Sequence, residues 1–362
     1  MYSPTGHLLF IRTDRAGSQR GTIYSVSFDL KSGRVTSSPI PRVSDVAIDS
    51  PYPSGGRAHF SVGNDGTIYY VPYDPSSTEK ELLWLDRRGH VAPASPHLAS
   101  YGTVSLSWDG KHVAYSDTVS IWVGDLARDS WIEVAQGDFV QAPLWSADDS
   151  TITYEASNSG EYAIWTVPAD GSKPSTVLLK EPQARLIPSS RSHEGGWLTL
   201  QKFKARTSQG TWAFNVQSRS MIQILPGPAM SRSVIAPNGR SVMYRGPTES
   251  IQVQSFPALG PRTTILNTPP CPPAISCGPY GWFRDSNALF YVDQKSIVTV
   301  PVTWTNGKAA VGQPETILDR SGLDPMISVQ DVAPDGRSFL AVRQKNTPRY
   351  DHINILSGWW TQ

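Results

Sequence analysis

Leu106-Ser107-Trp108-Asp109-Gly110-Lys111-His112-Val113-Ala114-Tyr115 decides how this chain is read. An apolar run ends in Ser, an Asp-Gly turn follows, and a second run rich in β-branched and aromatic residues resumes. Asp-Gly supplies the positive φ that a tight hairpin turn requires. The same phrase opens at Phe60-Ser61-Val62 with its turn at Asp65-Gly66, and at Trp145-Ser146-Ala147-Asp148-Asp149-Ser150. It is more worn at Ser192-His193-Glu194-Gly195. It is clear again at Ile235-Ala236-Pro237-Asn238-Gly239, at Trp282-Phe283-Arg284-Asp285-Ser286 and at Val332-Ala333-Pro334-Asp335-Gly336. The second turn residue falls at 66, 110, 149, 195, 239, 286 and 336, in steps of 39 to 50 with a mean of 45. Seven copies at that spacing are the mark of a repeat architecture.

A third strand follows most copies, as in Leu82-Leu83-Trp84-Leu85-Asp86, Ile121-Trp122-Val123-Gly124-Asp125 and Ala163-Ile164-Trp165-Thr166-Val167. A more polar fourth strand closes most units, as in Trp131-Ile132-Glu133-Val134 and Met221-Ile222-Gln223-Ile224-Leu225. Four antiparallel strands per unit make the blade of a β-propeller. The expected fold is all-β: a single propeller domain over 1–362 with seven four-stranded antiparallel blades, or eight if the N-terminal hairpin is a blade of its own. Residues 1–48 read as an incomplete N-terminal blade or closing strands, 56–320 as six full blades and 325–362 as a C-terminal partial blade. An open edge invites association, so N- and C-terminal strands are expected to close the ring. Trp145 and Trp282 fit the wedge between neighbouring blades, and Trp359-Trp360 read as a cap on the final one.

Composition narrows the function classes. Gly 29 and Pro 30 in 362 residues are about 16% backbone punctuators against roughly 12% on average, which argues against a helical protein. Charged residues are only 17%, and Trp 12, Tyr 14 and Phe 10 make the chain aromatic-rich, which argues against disorder. Lys+Arg 32 against Asp+Glu 31 leaves a net charge of +1, so no global field gathers nucleic acid or anionic lipid. No apolar run is long enough to span a bilayer. Arg12, Asp14, Arg15 and Arg20 break any signal-peptide core, so the chain reads as soluble and without an address of its own. Cys271 and Cys277 lie five residues apart in a Pro-rich loop. They read as a loop disulfide or as two free thiols; the spacing is wrong for a Cys-x-x-Cys redox pair, and no second pair completes a zinc site.

The repeated phrase resembles the TolB-like, WD-type propeller repeat of bacteria, whose usual form is Trp-Ser-Pro-Asp-Gly followed by a strand. More narrowly, Tyr2-Ser3-Pro4-Thr5-Gly6-His7-Leu8-Leu9-Phe10-Ile11-Arg12, Ala58-His59-Phe60-Ser61-Val62 and His352-Ile353-Asn354-Ile355-Leu356 look like the propeller that follows the membrane helix in many bacterial serine/threonine protein kinases. No kinase motif accompanies them. The resemblance implies a sensor-like binding module in the periplasm or outside the cell.

Propellers place ligands at the mouth of the central channel. On that map the candidate ligand-binding residues are His59, His97, Tyr101, Gln141, Arg185, Arg232 and Asp331. His59, His97 and His352 could converge on a divalent metal, zinc or calcium, that activates water. Two functions are therefore expected in order. The first is a non-catalytic module that binds a protein, peptide or small molecule at the channel mouth and needs no cofactor. The second is a metal-assisted hydrolase of a lactone, ester or phosphotriester. Neither nucleic acid binding nor membrane insertion is expected.

Overall fold

The computed structural model describes residues 1–13, 18–48, 57–205, 207–227, 232–245, 250–266, 280–293, 295–306, 308–345 and 352–361. Cys271 and Cys277, and with them the disulfide reading, lie outside the described residues. Those residues form β-strands joined by turns, with two short 3-10 segments, Pro75–Thr78 and Trp359–Thr361, as the helical exceptions.

The repeat has a conformational signature. At all seven turn positions the backbone lies in the left-handed region: Gly66 at φ 85°, Gly110 at 75°, Asp149 at 55°, Gly195 at 74°, Gly239 at 66°, Ser286 at 62° and Gly336 at 66°. Gly239 shows why glycine dominates, since a Cβ there would stand 2.8 Å from the Glu194 carbonyl oxygen. Asp149 and Ser286 break the rule and use their side chains. The Asp149 carboxylate accepts the Trp108 and Asp109 amides of the preceding copy at 2.8 and 3.0 Å, and Ser286 Oγ accepts the Asn238 amide at 3.1 Å. A strained turn thus ties two repeats together.

The first turn residue is a local fastener. Ser146 Oγ donates to Asp148 Oδ1 at 2.6 Å and Ser150 Oγ at 2.8 Å, while Ser107 Oγ donates to Asp109 at 2.7 Å. The hydroxyls of Ser146 and Ser150, with the Ser150 amide, hold the Asp148 carboxyl at about 2. A carboxylate lowered in the folded state adds stability that is present above its ordinary value near 3.8 and fades as pH falls toward 2. Acid titration of Asp148 followed by NMR should show that low midpoint, and Asp148→Asn should remove its share of the acid transition. A midpoint near 3.8 would mean that the hydroxyls do not hold the carboxylate.

Lys80–Gln344 forms one compact unit. It contains six sheets with four strands side by side. Blade 1 is Val104–Leu106, His112–Ser116, Ser120–Asp125 and Ser130–Gln136. Blade 2 is Phe139–Trp145, Thr151–Asn158, Glu161–Pro168 and Thr176–Leu179. Blade 3 is Ala184–Arg191, Trp197–Lys204, Thr207–Asn215 and Met221–Pro226. Blade 4 is Ser233–Ile235, Ser241–Arg245, Ile251–Ser255 and Thr263–Leu266. Blade 5 is Tyr280–Trp282, Ala288–Val292, Ser296–Thr305 and Glu315–Asp319, with Lys308–Val311 paired to the far end of its third strand. Blade 6 joins Ile327–Val332 and Ser338–Gln344 to Lys80–Asp86 and Val91–Ala99.

Between each neighbouring pair of blades lies one apolar cluster, and together they close the ring. Trp145 fills the seam of blades 1 and 2, Phe214 that of 2 and 3, Tyr244 that of 3 and 4, and Trp282 that of 4 and 5. Phe339 fills the seam of blades 5 and 6, and Leu340 with Leu106 and Tyr101 that of 6 and 1. Trp145 and Trp282, 3% and 4% exposed, are the wedges that the repeat implies.

The unit Lys80–Gln344 holds six four-stranded blades. One expectation changes. Leu82–Asp86 completes the C-terminal blade, with Leu83 opposite Ala341 and Leu85 opposite Phe339, instead of following the copy at Phe60. The seal is therefore made by two strands from each end of the unit, which leaves no blade with an open half.

Met1–Glu79 with Lys345–Gln362 forms the second unit. The strands of residues 1–48 make a five-stranded sheet, and Phe60–Val62 and Ile68–Tyr70 pair with Asn354–Leu356 in a sheet of three. Their core is Leu9, Ile23, Val43, Val46, Ile68 and Trp359. Trp359 is 3% exposed and donates its indole N–H to the Gly66 carbonyl at 2.7 Å, so it is a core residue of this unit rather than a cap on the last blade.

Candidate functional site

The innermost strands of all six blades face a cavity of about 330 Å³ on the ring axis. Each blade's inner strand runs from one face of the ring to its repeat turn, so position along the strand gives depth. Thr103 and Arg232 precede their strands, Gln141 lies in the first half of Phe139–Trp145, and the three form the mouth. Trp108, Arg191, Arg284 and Asp331 lie at or just past the strand ends and form the other end.

That end is covered by Trp108. The Arg284 guanidinium of blade 5 lies 4.2 Å from the centroid of its ring system, and the His193 ring of blade 3 meets it edge-on with centroids 4.9 Å apart. Blades 3 and 5 are each two steps from blade 1 around the ring. An indole that touches both must lie across the axis, and it makes a floor. The other three residues at this repeat position, Ala147, Pro237 and Pro334, leave room for it.

Guanidinium donors at the floor are left over. Arg191 makes one hydrogen bond, Nη1 to Thr153 Oγ1 at 2.9 Å, and among the described residues it has no carboxylate partner. Burial lowers its pKa, with Asp148 opposing. Arg284 reaches the Leu106 and Ser107 carbonyls at 3.4 and 3.3 Å, and its Nε is buried with no partner. Asp331 is 3.9 Å from Arg284, but its two oxygens already accept the Leu106 and Val332 amides at 3.0 and 2.8 Å.

The mouth is ordered from behind. Gln141 Nε2 donates to Glu155 Oε2 at 2.5 Å, and Arg185 grips the same carboxylate with Nε to Oε1 at 2.5 Å and Nη2 to Oε2 at 3.0 Å. Glu155 is fully buried. Arg185 stacks over Tyr162 at 4.4 Å and over Phe139 at 5.4 Å. Burial pushes the Glu155 carboxyl up to about 8, with the Gln141 hydrogen bond opposing, and pushes Arg185 down to about 10. Because the carboxylate takes the Gln141 NH2, the amide presents its oxygen to the channel.

Of the residues expected from sequence, Gln141, Arg232 and Asp331 line the cavity, and Arg185 stands behind Gln141. His97 and Tyr101 do not line it. His97 stacks on Trp131 at 4.5 Å, and Tyr101 is fully buried with its hydroxyl donating to the His97 carbonyl at 3.0 Å. Both belong to the seam of blades 6 and 1, where burial lowers the His97 pKa, with Asp129 opposing, and raises that of Tyr101. His59 and His352 belong to the unit of Met1–Glu79 and Lys345–Gln362, and His97 to the ring. Among the described residues no three His, Cys, Asp or Glu side chains stand together as metal ligands. Trp108, Arg191, Arg284 and Glu155 are absent from the sequence-based candidates.

No protein-family profile matches the chain, and no curated protein matches it in sequence. Solved structures do. A putative TolB from Agrobacterium tumefaciens is 15% identical with a TM-score of 0.53, and the match covers 98% of that chain and 73% of this one, the fraction that Lys80–Gln344 makes up. TolB from Acinetobacter baumannii is 10% identical over 94% of this chain and 80% of that one, with a TM-score of 0.43. An auxiliary nutrient binding protein from Bacteroides thetaiotaomicron is 10% identical over 92% of this chain and 97% of that one, with a TM-score of 0.45. The chain has the TolB-like β-propeller fold.

Proposed function

We propose that the six-bladed ring is a non-catalytic binding module that takes a small molecule or a peptide end into its channel from the mouth. The observation that carries this reading is the floored cavity of about 330 Å³ to which every blade contributes its inner strand. That size lies at the lower end of ligand pockets, and a lining of few fixed polar groups on rigid strands is how such pockets achieve specificity. The lining holds Arg191, Arg232, Arg284 and Asp331 as its charged members and no nucleophile paired with a base. A sensor of the kind implied by the kinase-type resemblance would detect its ligand in such a pocket.

Gln330, on the inner strand of blade 6, faces the cavity. Gln330→Trp should fill the channel, weaken ligand binding by at least about tenfold and leave thermal unfolding close to that of the parent. A fragment screen by calorimetry or crystal soaking supplies the ligand for that comparison. Turnover of p-nitrophenyl esters or phosphotriesters that Gln330→Trp abolishes would favour a hydrolase instead, and fragments bound equally by both proteins would place binding outside the channel.

A further inference from the structure

We propose that the floor of this channel is an oxyanion subsite, in which Arg191 and Arg284 engage a carboxylate or phosphate group of the ligand. The inference rests on the channel being a binding pocket and specifies what the pocket reads.

Two guanidiniums line the same floor with donors unspent. Arg191 uses one of its five N–H groups, on the Thr153 hydroxyl, and none on a carboxylate of the described residues. Arg284 holds a buried Nε without a partner and bonds two carbonyls at 3.3 to 3.4 Å, the long end of the range. Charges in a partly buried site need a counter-charge or a full set of hydrogen bonds. Asp331 is the carboxylate in the lining; each of its oxygens accepts one amide, from Leu106 or Val332, and it stands 3.9 Å from Arg284, beyond hydrogen-bond length. Asp148 acts on Arg191 from the neighbouring turn and Asp331 on Arg284, so what the floor holds in excess is guanidinium donors: both side chains keep N–H groups without an acceptor.

Geometry favours a planar or tetrahedral oxyanion over a generic anion. A guanidinium offers paired, fixed N–H donors that match two oxygens of a carboxylate or phosphate. The Arg284 guanidinium lies over the Trp108 ring at 4.2 Å, a contact that restrains it before any ligand arrives. Trp108 also covers the floor from the opposite face, which limits the water that would otherwise screen the interaction. The site is assembled from the repeat position where blades 1, 3 and 5 carry Trp108, His193 and Arg284, with Arg191 two residues ahead of His193.

The test titrates the full chain at low ionic strength with succinate, inorganic phosphate, glycerol and choline, by calorimetry, against parent, Arg191→Gln, Arg191→Lys and Gln330→Trp proteins. The proposal expects succinate or phosphate to bind the parent, with the stronger of the two naming the group read. Arg191→Gln should weaken that binding by about ten- to hundredfold, the weight of one charge-assisted pair. Arg191→Lys should recover part of it, because the charge returns without the fork. Equal anion binding by the parent and Arg191→Gln overturns the proposal, as does equal binding by Gln330→Trp. If glycerol or choline binds and Gln330→Trp abolishes it while neither anion binds, the pocket reading stands and the oxyanion inference falls. If no probe binds the parent, both fall. Circular dichroism of each variant identifies any that fails to fold, and Arg191→Lys keeps the comparison valid if Arg191→Gln does.

Discussion

Glu155→Ala is expected to destabilise the ring by about 3–5 kcal/mol, the range for breaking a buried ion pair from one side. Its carboxylate is fully buried, and Arg185, whose side chain is only 16% exposed, is packed on Tyr162 and Phe139. Removing the carboxylate strands a guanidinium and frees the Gln141 amide at the same time. The cost comes mainly from the stranded charge rather than from lost attraction. The double change Glu155→Leu with Arg185→Met should therefore recover most of the loss, since well-packed apolar replacements of buried pairs are often neutral or better. Urea midpoints of the single and double variants decide the matter. A loss below about 1 kcal/mol for Glu155→Ala would show an ion pair that behaves as an exposed one. Ligand binding supplies a second readout. Gln141 with both amide ends free can turn either group to the channel, so the double variant should fold normally yet discriminate less between donor and acceptor ligands.

Much of the ring was legible because turn chemistry is local. A tight hairpin demands positive φ at one residue, and all seven positions chosen by spacing carry it, including Asp149 and Ser286 where no glycine marks the place. Blade membership was less legible because the repeat phrase covers only the first two strands. Leu82–Asp86 is the same alternating sequence whichever inner pair it joins, and hydrogen bonding with Ser338–Gln344 rather than any residue in it decides the register. The cavity lining was half legible: Gln141 and Arg232 at the mouth and Asp331 at the floor follow from counting along strands, whereas Glu155 sits on a second strand where a carboxylate is ordinarily solvated. The floor had a signal that went unused. The residue between Ser or its equivalent and the turn is Pro in the usual form of the repeat, and Pro237 and Pro334 keep it. Trp108, His193 and Arg284 replace it with large polar rings or a cation in alternate copies. Only ring geometry reveals that alternate copies of one repeat position meet on the axis.

Phe339→Ala should cost about 3–5 kcal/mol, as large-to-small changes at buried phenylalanines do, and should act on the seal as well as on the core. Phe339 is completely buried in the seam of blades 5 and 6, edge-on to Phe290 with centroids 5.5 Å apart, and directly opposite Leu85 in the ladder that joins the two ends of the unit. Phe214, 1% exposed in the seam of blades 2 and 3, offers a matched control in a blade built from one continuous segment. Both alanine variants should lose similar equilibrium stability because the side chain removed is the same and both sites are closed to water. They should differ in how the ring opens. In blade 6 the strands Ser338–Gln344 and Lys80–Asp86 are held side by side by hydrogen bonds and seam contacts, with no short connection between them. Loss of Phe339 should speed amide exchange in that ladder well beyond its effect elsewhere, whereas Phe214→Ala should raise exchange in blade 3 without singling out the seal. The reason is that local opening draws on the element with the fewest independent constraints. If the blade 6 ladder in Phe339→Ala exchanges no faster than the ladders of blades 2 and 3, the ring opens as a single cooperative unit and the seal is not its weakest joint.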